Sequence, residues 1–268
     1  MSERVTVPTI KSVKVKNGSK PIVMITAYDF PTAQIADKAG VDIILVGDSL
    51  ANVVLGYDDT LKVKTSEIAY HVKAVKNAKP QCLLVADMPW LSYHLGPNKS
   101  VKNASKLIRA GASAVKLEGG EERTDAIASI LGAEIPVMGH LGLTPQSVNA
   151  FGGFKVQGKS SQQREKILRD AHHLSDLGCF SIVLEGIPAD LAQTITDEIP
   201  IPTIGIGAGK HCDGQVLVFH DVTGFKFSNS AKFVKTFSDL SGVALEAVEQ
   251  YKKEVVDGTF PSESNSYH

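Results

Sequence analysis

Three acids stand where three consecutive apolar runs end. Asp48 follows Ile43-Ile44-Leu45-Val46-Gly47, Asp87 follows Leu84-Val85-Ala86, and Glu118 follows Val115-Lys116-Leu117. A fourth, Glu185, closes Val183-Leu184. An ionised carboxylate beside a core strand is costly unless it is paired or bound to a cation. Three that converge repel one another and drive at least one to take up a proton. A hard divalent cation removes the conflict, and an all-oxygen ligand set favours magnesium or manganese over zinc. Magnesium keeps one or two direct protein carboxylates, which leaves one acid, Glu118 for preference, to act through water. Any one of these acids alone reads as a helix cap or an internal salt bridge; three in register point to a metal.

Lys116 lies two residues before Glu118, so in a strand both side chains point the same way. A lysine in an otherwise apolar strand must find an anion. It can be a Schiff-base amine, the ion-pair partner of its neighbouring acids, or the group that holds the carboxylate of an anionic substrate. The third reading suits an adjacent metal best, because a metal and a Schiff base are redundant electron sinks. Ser49, beside Asp48, can donate to the same substrate carboxylate, although alone it reads as a turn or cap residue. Glu185 comes from a later run, across a closed barrel from the three acids, and is the candidate general base. His140 is open between a neutral hydrogen-bonding partner, a second acid/base group and a structural histidine. A cation with oxygen ligands beside a lysine suits a 2-oxo acid chelated through carboxylate and keto oxygen. Such chelation stabilises the enolate formed when a base removes the neighbouring proton. The chemistry is then aldol addition, its reverse, or isomerisation.

The elements that must position these groups are short apolar runs alternating with helical segments. Strands are expected at 21–26, 43–46, 82–86, 113–117, 136–138, 180–184, 202–206 and 215–219. Helices are expected at 31–39, after Thr65-Ser66-Glu67, and at 99–110, 121–131, 161–177 and 189–196. Eight such repeats make a (β/α)8 TIM barrel with acids at strand exits, where barrel active sites form. The chain reads as one barrel domain over residues 1–268, with an N-terminal extension and C-terminal helices from Ala231 onward. Its end, Ser262 to His268, is polar and reads as frayed. Residues 51–64 form a long polar connection with the look of a lid, and residues 146–159 a second long loop. The run Gly205-Ile206-Gly207-Ala208-Gly209 is late in the chain, follows the seventh strand and lacks GxGxxG spacing, which argues against dinucleotide binding. It reads as close backbone approach to a ligand or as a plain turn.

Composition sets the outer limits. The chain has 268 residues, 43% hydrophobic and 21% charged, with a formal net charge of -1, so no basic field invites nucleic acid or an anionic membrane. No apolar stretch is long enough to span a bilayer, and residues 1–20 carry no signal-peptide core. Cys82, Cys179 and Cys212 are far apart and read as reduced core cysteines of a cytosolic protein.

Longer motifs carry a resemblance. Val46-Gly47-Asp48-Ser49-Leu50, Leu84-Val85-Ala86-Asp87-Met88-Pro89 and Val115-Lys116-Leu117-Glu118-Gly119-Gly120 are similar to segments of the ketopantoate hydroxymethyltransferases. So are residues 139–147, the 152–158 run Gly-Gly-Phe-Lys-Val-Gln-Gly, and residues 204–209 and 212–218; the likeness runs from about Thr9 to His268. The resemblance implies a magnesium-dependent (β/α)8 enzyme of pantothenate biosynthesis. The family transfers a hydroxymethyl group from 5,10-methylenetetrahydrofolate to 3-methyl-2-oxobutanoate, giving 2-dehydropantoate. It implies Asp48, Asp87 and Glu118 as metal positions, Asp48, Ser49, Asp87 and Lys116 as substrate contacts, and Glu185 as the proton acceptor. It further implies a cytoplasmic homodecamer of two stacked pentamers. Two departures stand out: Ala51 replaces a common glycine, and the segment 223–230 is short for the family.

Overall fold

The computed structural model describes residues 4–153, 155–227 and 231–267, and of Phe151 the backbone alone. Phe154 of the 152–158 motif, residues 228–230 of the short segment and His268 lie outside the described residues. The chain divides into two compact units, Met1–Val218 and Phe219–His268.

The first unit is a closed barrel of eight parallel strands in sequence order, β1 and β8 pairing to close it. The strands are β1 (Ile22–Thr26), β2 (Ile43–Val46), β3 (Leu83–Asp87), β4 (Ala114–Glu118), β5 (Val137–Gly142), β6 (Ser181–Glu185), β7 (Thr203–Ile206) and β8 (Gly214–Leu217). Helices α1 (Val7–Lys11), α2 (Phe30–Lys38), α3 (Leu50–Val53), α4 (Thr65–Asn77), α5 (Pro97–Ala110), α6 (Thr124–Gly132), α7 (Val148–Phe151), α8 (Ser161–Leu177) and α9 (Ala189–Glu198) precede or connect them. The barrel expectation holds. Three local expectations do not. β5 continues through Gly142 instead of stopping at Met138, because its later residues pair with β6 as far as Gly142↔Glu185. The helix expected at 121–131 is a 3-10 turn, Glu121–Arg123, followed by α6. The loop expected at 146–159 contains α7.

Alternation along the strands sorts the core. Ile22, Met24, Ile43, Leu45, Leu83, Val85, Ala114, Met138, Val183, Ile204 and Val216 form the cluster inside the barrel. The other strand face joins the helices in a larger cluster that includes Ile44, Leu84, Val115, Leu117 and Ile182. Continuing the inner face by steps of two toward the carboxyl ends leads from Val85 to Asp87, from Ala114 to Lys116 and Glu118, from Met138 to His140, and from Val183 to Glu185. The active-site side chains are thus the last layer of the barrel filling.

At the opposite end, Lys14 is buried and its Nζ meets Asp213 Oδ2 at 2.6 Å, Thr196 O at 2.8 Å and Ile201 O at 3.3 Å. Asp213 also accepts from the backbone N of Val15 and Thr203 (2.8 and 3.0 Å), so this pair ties the N-terminal extension to β7. Removing one partner of a buried ion pair costs about 3–5 kcal/mol. Lys14→Met is therefore expected to lower Tm by roughly 10 °C, at about 2–4 °C per kcal/mol in a chain of this size. An unchanged melting curve would show that the tether contributes nothing.

In the second unit, α10 (Phe219–Thr223) and α11 (Leu240–Val256) are the two α-helices among the described residues. The helix expected from Ala231 begins only at Leu240. Phe237 N is drawn instead to Val222 O (2.9 Å), and Asp239 caps α11 by accepting from Gly242 N (2.9 Å).

Candidate active site

Strand pairing places the ionisable groups side by side at the carboxyl ends of β2 to β6. Asp87 is opposite Lys116, Glu118 opposite His140, and Glu185 opposite Gly142. Asp48, Asp87, Lys116, Glu118 and His140 are all buried, and Glu185 is nearly so. Lys116 Nζ contacts Asp87 Oδ1 at 2.6 Å, while the other oxygen of Asp87 accepts from Asp48 N at 2.9 Å. At Gly47 a Cβ would crowd this approach of Asp87 to the β2 exit, standing 3.3 Å from Asp87 Oδ2 and 3.0 Å from Ser49 Oγ. Gly142 is required outright, with φ +96 and no room for a Cβ beside the carbonyl of Glu185.

His140 joins the two halves of the site. Its Nδ1 lies 3.3 Å from Lys116 Nζ and 3.6 Å from Glu118 Oε1, and its Nε2 lies 3.2 Å from Glu185 Oε2, though not aligned for a hydrogen bond. Burial, and then the charge of Lys116, hold the imidazole well below the usual histidine range, so it is neutral. With Lys116 donating on the Nδ1 side, the ring proton belongs on Nε2, facing Glu185.

Four carboxyls thus meet one ammonium. Burial alone would pull Lys116 down, but Asp87, Asp48 and Glu118 overcompensate and hold it above its ordinary value. A permanently charged, ion-paired lysine is the opposite of a Schiff-base nucleophile, which needs a free amine. Burial pushes Asp87 up to about 7 against the pull of Lys116. Glu118 is pushed well above the carboxylate range by burial and by Asp48, and its Oε1 receives no hydrogen bond. This surplus of buried negative charge is what a divalent cation would relieve. Among the described residues, no group of three His, Cys, Asp or Glu side chains is arranged to hold one ion between them. The donor chemistry fits a hard cation held by one or two acids directly, with the remainder reached through water.

Ser49 sits at the N-cap position of α3 but makes no cap bond; its Oγ meets Tyr28 Oη at 2.8 Å. Both Ser49 and Lys116 border a cavity of about 150 Å³ with Asp48, Asp87, His140 and Glu185. Its apolar walls are Leu45, Val183, Ile206 and Val216. That is below the range of about 300–1,000 Å³ typical of drug-sized ligands, and suits a small branched acid. The connection expected as a lid contributes Asn52 and Thr60 to this wall, and the buried Thr60 Oγ1 has no hydrogen-bond partner. The glycine run after β7 contributes only Ile206; Gly209 packs against Ala189 instead of facing the cavity.

Sequence reasoning gave no role to Gln146, which the structure makes a hub. Its Nε2 donates to Asp48 Oδ2 (2.9 Å) and Met88 O (3.1 Å), and its backbone N donates to Glu118 Oε2 (3.1 Å). Its Oε1 accepts from Tyr93 Oη at 2.7 Å, and Tyr93 Oη in turn accepts from Glu118 N at 3.3 Å. In the sequence it stood out only as a polar residue directly after Pro145, within the 139–147 segment that carries the family resemblance.

Known proteins place the chain. The family model for ketopantoate hydroxymethyltransferase matches residues 4–263. The 3-methyl-2-oxobutanoate hydroxymethyltransferase of Syntrophomonas wolfei is 51% identical over 265 residues, covering 98% of this chain and 95% of its own. The protein of the same name from Thermosipho africanus is 52% identical, covering 96% and 97%. Among solved structures, 2,3-dimethylmalate lyase superposes with a TM-score of 0.62 at 17% identity over 98% of this chain and 92% of its own. Oxaloacetate acetylhydrolase does so with a TM-score of 0.63 at 14% identity, covering 95% and 88%. These two share the fold.

Proposed function

The chain belongs to the ketopantoate hydroxymethyltransferase family, and from that membership we propose that it moves a hydroxymethyl group from 5,10-methylenetetrahydrofolate to 3-methyl-2-oxobutanoate, giving 2-dehydropantoate for pantothenate and coenzyme A biosynthesis. The observation that carries this reading is the placement of Glu185 across a small, half-apolar cavity from Lys116 and the buried acids.

The 2-oxo acid enters with its carboxylate toward Lys116 Nζ and Ser49 Oγ and its isopropyl group against Leu45, Val183, Ile206 and Val216. Asp48 and Asp87 would hold magnesium, with Glu118 acting through water. When bound, the cation supplies positive charge for the keto oxygen as negative charge develops there. Glu185 takes the proton from C3, with the neutral His140 ring beside it, its Nε2 3.2 Å from Glu185 Oε2. Overall, the C3–H bond breaks and a C–C bond to the one-carbon unit forms. Water provides the hydroxyl and tetrahydrofolate leaves. Product formation tests the assignment: 2-dehydropantoate should accumulate only with both the oxo acid and the folate donor present, and its absence would overturn the reading.

Burial pushes Glu185 up to about 7, with Lys116 opposing. A base works ionised, so C3 proton exchange should rise through neutral pH and level off above it. A flat profile across the neutral range would remove Glu185 from this role.

A homo-oligomer, a decamer of two pentamers, is part of the same proposal. Its support is a series of exposed apolar residues on α11, among them Val243, Val248, Tyr251 and Val256, which suits burial against another copy. The cytoplasmic placement rests on family membership and on three free, buried cysteines. Among the described residues no helix is long and apolar enough to cross a membrane.

A further inference from the structure

The small cavity has room for the oxo acid but not for a folate beside it, so the donor must be received elsewhere within reach of C3. A second cavity, of about 240 Å³, adjoins the first on the same end of the barrel. Its walls come from the β4 and β5 exits and from α8, and include Tyr93, Glu118, Arg123, Leu141 and Ile167. The partition between the two cavities is thin. Glu118 borders the second and His140 the first, 3.6 Å apart, and Thr144 and Pro145 are consecutive residues on either side. A third cavity, of about 230 Å³, continues from the second across His94, Arg123, Ser147 and Ala150 toward Trp90 and Leu61. Together the second and third form a two-lobed cleft that begins at this partition, beside the reaction centre, and runs toward Trp90 and Leu61.

The chemistry of this cleft is specific. Arg123 lies over the Tyr93 ring at 5.8 Å, and its buried Nε has no hydrogen-bond partner. His94 packs against Tyr93 with ring centroids 4.3 Å apart and the planes tilted by 37°, and its buried Nδ1 is also unpartnered. Apart from Glu118, whose Oε1 receives no hydrogen bond, the other charges of the described cleft residues are paired: Lys166 is bound to Asp170 (2.6 Å) and Glu122 (3.5 Å), and Asp170 accepts from Glu121 N (3.1 Å). Unsatisfied buried groups of this kind call for a ligand or water to complete them. What remains among the described residues is the Arg123 guanidinium and one ring nitrogen of a histidine that burial and Arg123 keep neutral, flanked by an aromatic face and apolar walls. A pteridine offers the complement: a carbonyl acceptor beside N–H donors on one edge of a flat ring.

We propose that this cleft receives the one-carbon donor, its pteridine edge bonded to Arg123 and His94 and its aryl portion extending past Ser147 and Ala150 toward Trp90. The inference rests on the folate-donor reading above. Its test is the binding of tetrahydrofolate to the full chain in magnesium buffer, measured by calorimetry, for the wild type and for Arg123→Ala and Ala150→Phe. The first variant removes the donor group and the second fills the point where the two lobes meet. Both should weaken tetrahydrofolate binding, and raise the KM for the methylene donor, by about tenfold or more, the loss of one charged hydrogen bond or of the space itself. C3 proton exchange of the oxo acid, which needs no donor, serves as the control that each variant is folded. If both variants bind tetrahydrofolate within about twofold of the wild type, a change too small to count as a lost contact, the cleft is not the donor site. If the wild type makes product from formaldehyde but does not bind tetrahydrofolate, the donor reading itself fails and this inference with it.

Discussion

Glu185→Gln is expected to slow C3 proton exchange, and with it turnover, by about 10²–10⁴-fold, the usual contribution of a positioned general base. The replacement keeps the shape of the side chain and its place opposite Gly142, but an amide has no lone pair basic enough to take the proton. Binding of 3-methyl-2-oxobutanoate should change by less than about threefold, because the groups that face its carboxylate, Lys116 on β4 and Ser49 at the start of α3, lie on other elements. The split between rate and binding is the diagnostic part. Lost binding with an unaltered rate on the bound fraction would make Glu185 a substrate contact. Undiminished exchange would move the base elsewhere, and His140, kept neutral between Lys116 and Glu185, would be the next group to test.

Lys116→Met is expected to damage both binding and stability. Among the described residues its ammonium is the single cation beside Asp48, Asp87, Glu118 and Glu185, and it contacts Asp87 at 2.6 Å in a buried setting. Methionine fills similar space but leaves Asp87 Oδ1 without a counter-charge, at a cost of about 3–5 kcal/mol for a broken buried pair. That corresponds to a fall in Tm of roughly 10 °C. The oxo acid should bind about 10–100-fold more weakly, as expected for the loss of a hydrogen bond between charged groups. Magnesium should restore part of the lost stability by supplying positive charge to the same acids, but not the lost affinity for the substrate carboxylate. Equal melting temperatures for the variant and wild type would mean that the acids are protonated in the folded state and need no counter-charge.

The barrel was legible because eight apolar runs of strand length alternate with helical segments, and because an acid at a strand exit is conspicuous in a chain of ordinary composition. Period-two alternation correctly placed Lys116 and Glu118 on one side of β4, where both extend the inner filling of the barrel. Less could be read where tertiary pairing decides. β5 was cut short at Met138 because Gly139-His140-Leu141-Gly142 resembles a turn in isolation, and only its hydrogen bonding to β6 keeps it extended. The helix expected from Ala231 failed for the same reason: Phe237 is held by Val222, an interaction no local period announces. Gln146 and Tyr93 stayed invisible because their roles are bonds to Asp48 and Glu118 across the top of the barrel, and neither residue type signals them. His94 and Arg123 were missed likewise, since their meeting over Tyr93 joins the β3 and β4 exits.

The most direct test of the centre built by Asp48, Asp87, Lys116, Glu118 and Glu185 is C3 deuterium exchange of 3-methyl-2-oxobutanoate, followed by NMR in D2O with magnesium and then with a chelator. The account predicts exchange that needs the enzyme, falls away on chelation and returns when magnesium is restored, before any one-carbon donor is added. Exchange that survives complete removal of divalent cations would contradict the reading of the buried acids. No exchange under any condition would contradict the role given to Glu185.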